Sequence, residues 1–375
     1  MSVEVRPVGS RQELREFIEL PFRLHRTSPQ WTPPLRIERH AFLSRRLNAF
    51  FREGDARLFL ARRGERVVGR ITAHVDPPFN AAGGHRWGLF GFLELEDDPE
   101  VLHALLRAAE GWLRPRGRDR LVGPVDFRVN DEAGVLVEGF EREPVIRQAW
   151  HPPHYARLCE GAGLTKAKDL LFWEVVIEDR ERIDPRVVRL AERARDRDGL
   201  VIRHVTHRTL RADLDRLAEI YHAAWAGDWG FVPYSKADLD QAALEMHLVF
   251  DPRWAMVAER DGETAGMALT FPDANQVLRR MGGRLLPLGW THLLRRGRLI
   301  DRVRVGFLGV KPEFQGTGAA AALYLRHFEM AAVTPHKRAE MGWVREDNLH
   351  MNRALEAVGA RAVKRFRVFE RPLPA

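Results

Sequence analysis

The residues best suited to chemistry in this sequence are not ionisable. They form the run Gln315-Gly316-Thr317-Gly318-Ala319-Ala320, which follows an apolar, strand-like segment at 303–310 and the turn Lys311-Pro312-Glu313-Phe314, and precedes a helical stretch at 321–332. A strand, a glycine-rich turn and a helix in that order bring bare backbone N–H groups to the positive end of a helix, and glycines let an anion approach closely. The expected ligand carries phosphate. A Walker A loop would end in Gly-Lys-Ser/Thr, which is absent. Gly316-x-Gly318-x-x-Ala321 satisfies the dinucleotide fingerprint, but only 54 residues follow Ala321, too few for the further βα units of a Rossmann domain.

A third pattern, Gln/Arg-x-x-Gly-x-Gly/Ala, is met by Gln315, Gly318 and Ala320, and it resembles the pyrophosphate loop of the GNAT superfamily of N-acyltransferases. Val310-Lys311-Pro312-Glu313 ahead of the loop strengthens the likeness. So does Asn348-x-x-Met351-x-x-Ala354-Leu355-Glu356-x-x-Gly359, whose Asn-to-Gly spacing is similar to that of the family's last conserved helix. The sequence looks most like bacterial tandem-GNAT proteins of about this length. The resemblance implies transfer of an acyl group, most often acetyl, from CoA to an amine. It places acetyl-CoA or another acyl-CoA against Val310, Gln315, Gly316, Thr317, Gly318, Ala319, Ala320 and Asn348. It also implies that backbone N–H groups of Leu308, Gly309 and Val310 stabilise the oxyanion, the principal electrostatic contribution in acyl transfer, with Asn348 near the pantetheine or thiol.

Two positions depart from the family. Where a Tyr often serves as general acid, this sequence has Leu355, and its counterpart in the first half is Cys159. A thiol with pKa ~8.5 leaves without full protonation, so the reaction survives the loss, and Tyr324 or a water is the substitute donor. The strand at 303–310 carries Arg304 but no carboxylate to serve as base. Asp273, His222 and Glu340 qualify by chemistry alone, each with an ordinary core or surface role as the stronger expectation, and no base is assigned.

These residues sit in a duplicated frame. Val5-Arg6 and Val8 match Ile202-Arg203 and Val205 at an offset of 197, and the hairpin-like Ala61 to Gly69 matches Ala258 to Gly266 at the same offset. Leu158 to Leu164 matches Ala354 to Ala360 at 196, each a short helix ending at a glycine before an alternating strand. The expected architecture is α/β, an α+β mixed sheet in two tandem GNAT-like domains at 1–180 and 198–375, joined by the charged stretch 181–197. Aligning Phe90-Gly91-Phe92-Leu93 with Val305-Gly306-Phe307-Leu308 needs an offset of 215, so the second half carries extra residues around 275–301.

On that alignment the first half places Glu94, Glu96, Asp97, Asp98 and Glu100 where the second half has its loop, with no glycine between Gly91 and Gly111. Carboxylates repel a pyrophosphate and side chains block approach to the backbone. The first domain is therefore expected to be degenerate, to bind no CoA, and to wall the acceptor site, with Asn130-Asp131-Glu132 either lining that site or serving as an ordinary turn.

The 375 residues carry a net charge of +8, but only six of the 60 basic residues are Lys, and they interleave with carboxylates along most of the chain. A mixed solvated surface is expected rather than a nucleic-acid groove. The concentrated exception is the extra segment, with Arg279, Arg280, Arg284, Arg295, Arg296, Arg298, Arg302 and Arg304 against Asp301, interleaved with Leu285, Leu286, Leu288, Trp290, Leu293 and Leu294. It reads first as a lid packed by its leucines, and otherwise as a contact for an anionic substrate, the CoA 3′-phosphate or a membrane surface. Trp225, Trp229 and Tyr234 read as core, with an acceptor pocket as the alternative. A single cysteine, Cys159, excludes an internal disulfide framework and a Cys-based zinc site. No metal is expected, and no apolar run is long enough to span a bilayer, so a cytoplasmic protein is expected, and the resemblance implies a small-molecule or peptide amine as its acceptor. The rival functions are an acyl-CoA-binding sensor without turnover and an aminoacyl-tRNA-dependent transferase, which would bind tRNA with steep salt dependence.

Overall fold

Alternating apolar residues on either side of Gly64 and Gly262 fold as the two expected hairpins. The computed structural model describes residues 2–246 and 249–374. Its described strands are β1 (Val3–Pro7), β2 (Asp55–Arg63), β3 (Arg66–Val75), β4 (Trp87–Leu95), β5 (Arg120–Gly123), β6 (Val135–Glu138), β7 (Thr165–Val176), β8 (Val201–His204), β9 (Ala255–Arg260), β10 (Glu263–Pro272), β11 (Arg302–Val310), β12 (Arg338–Arg345) and β13 (Arg361–Pro372).

They form one mixed sheet in the order β1-β2-β3-β4-β5-β13-β7-β12-β11-β10-β9-β8, with β6 paired to β13 beside this path. The order is nearly palindromic. Each half supplies five strands that run antiparallel until a final parallel pair, β4 with β5 and β11 with β12. The last strands are then exchanged: β13, from the end of the chain, lies against β5, while β7, from the end of the first half, lies against β12, and β7 and β13 pair with each other. Leu170, Phe172, Val175, Phe366, Val368 and Phe369 are buried along this seam. Separating the halves would break four ladders, β7 with β12 and β13 with β5, β6 and β7, and expose that core.

Both parallel pairs are short. β11 follows β12 only from Arg302↔Arg338 to Val305↔Met341, and β4 follows β5 only from Trp87↔Arg120 to Leu89↔Val122. Just beyond, β11 shifts register against β10 around Gly306, and β4 shifts against β3 opposite Ile71. Such bulges bend a strand, and β11 and β12 diverge from there.

A helix covers each half-sheet. Pro99–Leu113 buries Leu102, Leu105, Leu106, Ala109 and Leu113, and Ala319–Ala332 buries Ala322, Leu323, Leu325 and Ala331. Within 181–197 lies the helix Pro185–Asp196, which packs on Ala319–Ala332 through Ala191 and Ala194 and pairs Arg195 with Glu329 at 2.9 Å. The extra segment 275–301 forms three short helices between β10 and β11.

Candidate active site

The divergence of β11 from β12 opens a cleft. It is lined by Val305 to Leu308 on one strand, by Met341 to Arg345 on the other, and by Tyr324, Met351 and Leu355 from the flanking helices. Lys311 N–H donates to Ala265 O at 2.9 Å, and Gly309 stands opposite Met267 in the same ladder. In an antiparallel pair, alternate residues point their N–H groups to alternate sides. Lys311 and Gly309 therefore face β10, while the N–H groups of Leu308 and Val310 turn towards the opening that β12 has vacated. Of the three expected oxyanion donors, Gly309 is the one whose N–H turns away. Its lack of a side chain matters instead, because a Cβ there would lie 2.8 Å from the Trp225 ring.

The glycine-rich loop leaves the C-terminal end of β11. Gly316 and Gly318 have φ of +77° and +92°, conformations that glycine adopts readily, and Gly318 is the N-cap residue of Ala319–Ala332. The first-turn N–H groups of that helix have no partner within it. Gln315 and Gly316 are exposed, and a Cβ at Gly316 would meet nothing within 4 Å. At Gly318 a Cβ would lie 2.7 Å from Leu190 O, so this glycine also seats the helix Pro185–Asp196. Thr317 Oγ1 donates to Phe314 O at 2.7 Å and holds the turn. The residues present thus form a cradle suited to a pyrophosphate.

The first half repeats this frame and fills it. Glu96 N–H donates to Val68 O at 3.0 Å, as Lys311 does to Ala265, and Leu95 holds the register of Val310. The Leu95 N–H donates to the Tyr155 hydroxyl at 3.0 Å, and that hydroxyl donates to Glu94 Oε2 at 2.7 Å. His25 Nε2 meets the same carboxylate oxygen at 2.7 Å. Burial raises the Glu94 pKa, but the charge and hydrogen bond of His25, helped by Arg70, outweigh it and hold the carboxyl at about 2. Asp98 caps the helix Pro99–Leu113 through Glu100 N–H, and Arg63, Arg66 and Arg157 pair with the neighbouring Asp98, Glu96 and Asp97. The donors that would meet a ligand are taken by the chain itself. At the offset of 196, Tyr155 corresponds to Met351 of the cleft, so the difference between the two openings is written in the sequence at that pair.

Asn348 lines the cleft and caps the helix Leu349–Ala357, its Oδ1 accepting from Met351 N–H at 3.1 Å. Leu355 is buried where the family's Tyr would stand, but Tyr324 enters the same cleft from the helix Ala319–Ala332. Its hydroxyl lies 3.4 Å from Met351 Sδ, and burial pushes its pKa up to about 12.

The three carboxylate and imidazole groups with the chemistry of a base are committed elsewhere. Asp273 accepts from Arg302 at 2.6 Å and from Ile146 N–H at 2.9 Å, and Glu340 is buried against Lys364 at 2.8 Å and Gln148 at 3.1 Å. His222 Nε2 accepts from Tyr234 N–H at 3.0 Å. Arg304 donates to Arg147 O at 2.9 Å, and burial lowers its pKa to about 10.

The opposite wall is aromatic: Trp225, Trp229 and Tyr234 line the cleft together with Tyr221, Phe231 and Trp343, and Asn130 reaches it from the first half. Asp131 and Glu132 do not line it; Asp131 lies 3.5 Å from Arg147, and Glu132 is linked to Asp126 through its carbonyl at 2.8 Å. Asp228 is the one carboxylate among the lining residues, and it pairs with Arg345 at 3.0 Å. Nothing in the spacing around Asp228 marks it out in the sequence. Among the described residues no group of three or more His, Cys, Asp or Glu could hold a metal ion.

A sheet that splays after a parallel pair, repeated twice with exchanged last strands, is the fold of a tandem GNAT protein. Its likeness to a solved tandem GNAT protein from the clavulanic acid biosynthesis pathway has a TM-score of 0.60 over 100% of this chain and 99% of the other, at 16% identity. No protein-family model matches the chain. It is 35% identical over 382 residues to the bacterial ceramide synthase of Caulobacter vibrioides, covering 99% of this chain and 98% of that one. It is 31% identical over 376 residues to protein YghO of Escherichia coli K12, covering 98% and 95%. The chain belongs to the family of these two proteins.

Proposed function

We propose that this protein is an acyl-CoA-dependent N-acyltransferase that forms an amide on a long-chain amino alcohol, the reaction that the name of its Caulobacter relative describes. The observation that carries the reading is the pair of N–H groups on Leu308 and Val310, turned away from β10 on a strand that lines an aromatic-walled cleft through Leu308 and then runs into the glycine-rich loop. The loop 315–320 with Val310 holds the CoA of the donor. The aromatic wall suits an apolar chain, which favours a long acyl donor over acetyl. The first half binds no CoA, because Tyr155 and Glu94 occupy the equivalent opening.

In this reading Asp228 holds the acceptor's ammonium at the cleft wall, and water takes the proton that makes the amine neutral. The amine nitrogen bonds to the thioester carbonyl carbon while Leu308 and Val310 N–H groups receive the developing oxyanion. The C–S bond then breaks, and the Tyr324 phenol, protonated at neutral pH, donates to the departing thiolate. The phenol is restored from the proton that the new amide nitrogen loses. Incubating the protein with a sphingoid base and either palmitoyl-CoA or acetyl-CoA, with mass spectrometry of the products, tests the reading. It expects the palmitoyl amide to predominate; an acetyl amide as the main product would overturn the assignment of the wall.

A further inference from the structure

The segment between β10 and β11 is not the leucine-packed lid that its pattern suggests. Only part of its apolar set goes inward: Val277, Met281 and Ile300 form a small core with Leu278, Leu285, Leu293 and Leu299, joined by Leu35 of the first half. Leu286, Leu288, Trp290 and Leu294 face solvent, at 73%, 70%, 45% and 75% exposure. Ile37, next to Arg36 whose N–H meets Gly283 O at 3.2 Å, is 68% exposed. Soluble surfaces do not gather so many large apolar side chains without a use for them.

The charge within the segment itself has one sign. Between Asp273 and Asp301 there is no carboxylate, and Arg280, Arg284, Arg295 and Arg298 are exposed. Three further arginines of the segment have internal duties: Arg279 pairs with Glu143, Arg302 with Asp273, and Arg304 binds backbone carbonyls beside the cleft. The exposed leucines and tryptophan are therefore interleaved along the segment with exposed arginines, a composition suited to apolar insertion among anionic headgroups. Among the described residues no helix is long and apolar enough to cross a membrane, so contact would be with the surface of the bilayer.

We infer that the face formed by Leu286, Leu288, Trp290 and Leu294 with Arg284, Arg295 and Arg298 docks the protein on an anionic phospholipid bilayer. The position of the segment in the fold agrees. It enters β11 at Arg302, whereas the phosphate loop leaves the same strand beyond Val310, nine residues on. At about 3.3 Å per residue the two lie on the order of 25–30 Å apart, with the cleft between them. A water-soluble donor approaches from one end of β11 and a lipid acceptor from the other. That last step rests on the proposed function; the docking itself does not.

The test is sedimentation of the full-length protein, without donor or acceptor, with vesicles of phosphatidylcholine alone or mixed with phosphatidylglycerol. The expected result is binding to the mixed vesicles that weakens as salt is raised, and little binding to the neutral ones. Leu286→Ser/Leu288→Ser and Arg295→Gln/Arg298→Gln should each weaken binding by roughly tenfold or more. Circular dichroism melts at the wild-type temperature would show that the variants fold. No binding to mixed vesicles, equal binding to neutral ones, or undiminished binding by the variants overturns the proposal. So does a concentration-dependent dimer that the leucine variant abolishes in place of vesicle binding, which would give the face to a second copy. Because CoA plays no part in the measurement, this proposal and the acyl-transfer reading fail separately.

Discussion

Glu94 and Gly309 hold the same register in the two halves of the sheet: Glu94 stands opposite Arg70 on β3, and Gly309 opposite Met267 on β10. The carboxylate at one position and its absence at the other separate a filled opening from an empty one. Tyr155 bridges Glu94 and the Leu95 N–H, whereas the N–H of Val310, in the place of Leu95, turns away from β10 towards the side that β12 has left.

The filled opening is structural, and its loss should be read in stability. Tyr155→Phe strands a buried N–H and removes a donor from Glu94, at a cost of about 1–3 kcal/mol in urea unfolding. Glu94, held at about 2 in the fold against a usual 4.5, ionises more readily folded than unfolded. Its contribution is full above pH 4.5 and is lost as pH falls towards 2, on the order of 3 kcal/mol over the interval. Unfolding free energy in Glu94→Gln should therefore fall less steeply than wild type below pH 4.5; parallel curves would contradict this.

The phosphate cradle can be closed at Gly316, where a side chain meets open space and the positive φ is one that Asp and Asn tolerate. Gly316→Asp should abolish acyl-CoA binding in calorimetry, and Gly316→Asn should bind several-fold more weakly than wild type. Equal affinity in wild type and Gly316→Asp would remove the loop from the site. Gly318 is a poorer place to test, since any side chain there also strikes Leu190.

Tyr324→Phe should lower kcat by about ten- to a hundredfold with little change in the KM for acyl-CoA. Because burial holds the phenol near 12, ionisation of Tyr324 should not limit the wild-type rate at neutral or mildly alkaline pH. Steady-state kinetics with both substrates varied makes the distinction; an unchanged kcat would give the donor's role to water.

Asp228→Asn should raise the KM for the amine by roughly tenfold while leaving acyl-CoA affinity in place, as expected for loss of a charged hydrogen bond to an ammonium. A fall in acyl-CoA affinity instead would place Asp228 on the donor side.

Local features of the fold were legible in the sequence, and long-range pairing was not. The loop 315–320, the hairpins and the equivalence of the halves follow from glycine placement and strand alternation, which are local. The exchange of β7 and β13 is silent because the two strands descend from corresponding stretches, and each presents a pattern fit for either place. What the sequence offers for the proposed site is backbone, the strand end at Val310 and the loop after it, because glycine placement and strand alternation are local. Distant side chains such as Asp228 and Trp343 acquire meaning only once β11 and β12 part. The extra segment departs from its pattern for a related reason: leucines at 285 and 286, or 293 and 294, look alike in a helical pattern, but the chain is broken into three short helices with 285 and 286 in the turn between two of them, and one of each pair goes inward and the other outward.

The most direct measurement is single-turnover reaction of the purified protein with a long-chain acyl-CoA and a sphingoid base, following free CoA by its thiol and the amide by mass spectrometry. The account predicts one amide formed for each CoA released, and neither product from Gly316→Asp. Release of CoA without amide, or donor binding with no release at all, would contradict it.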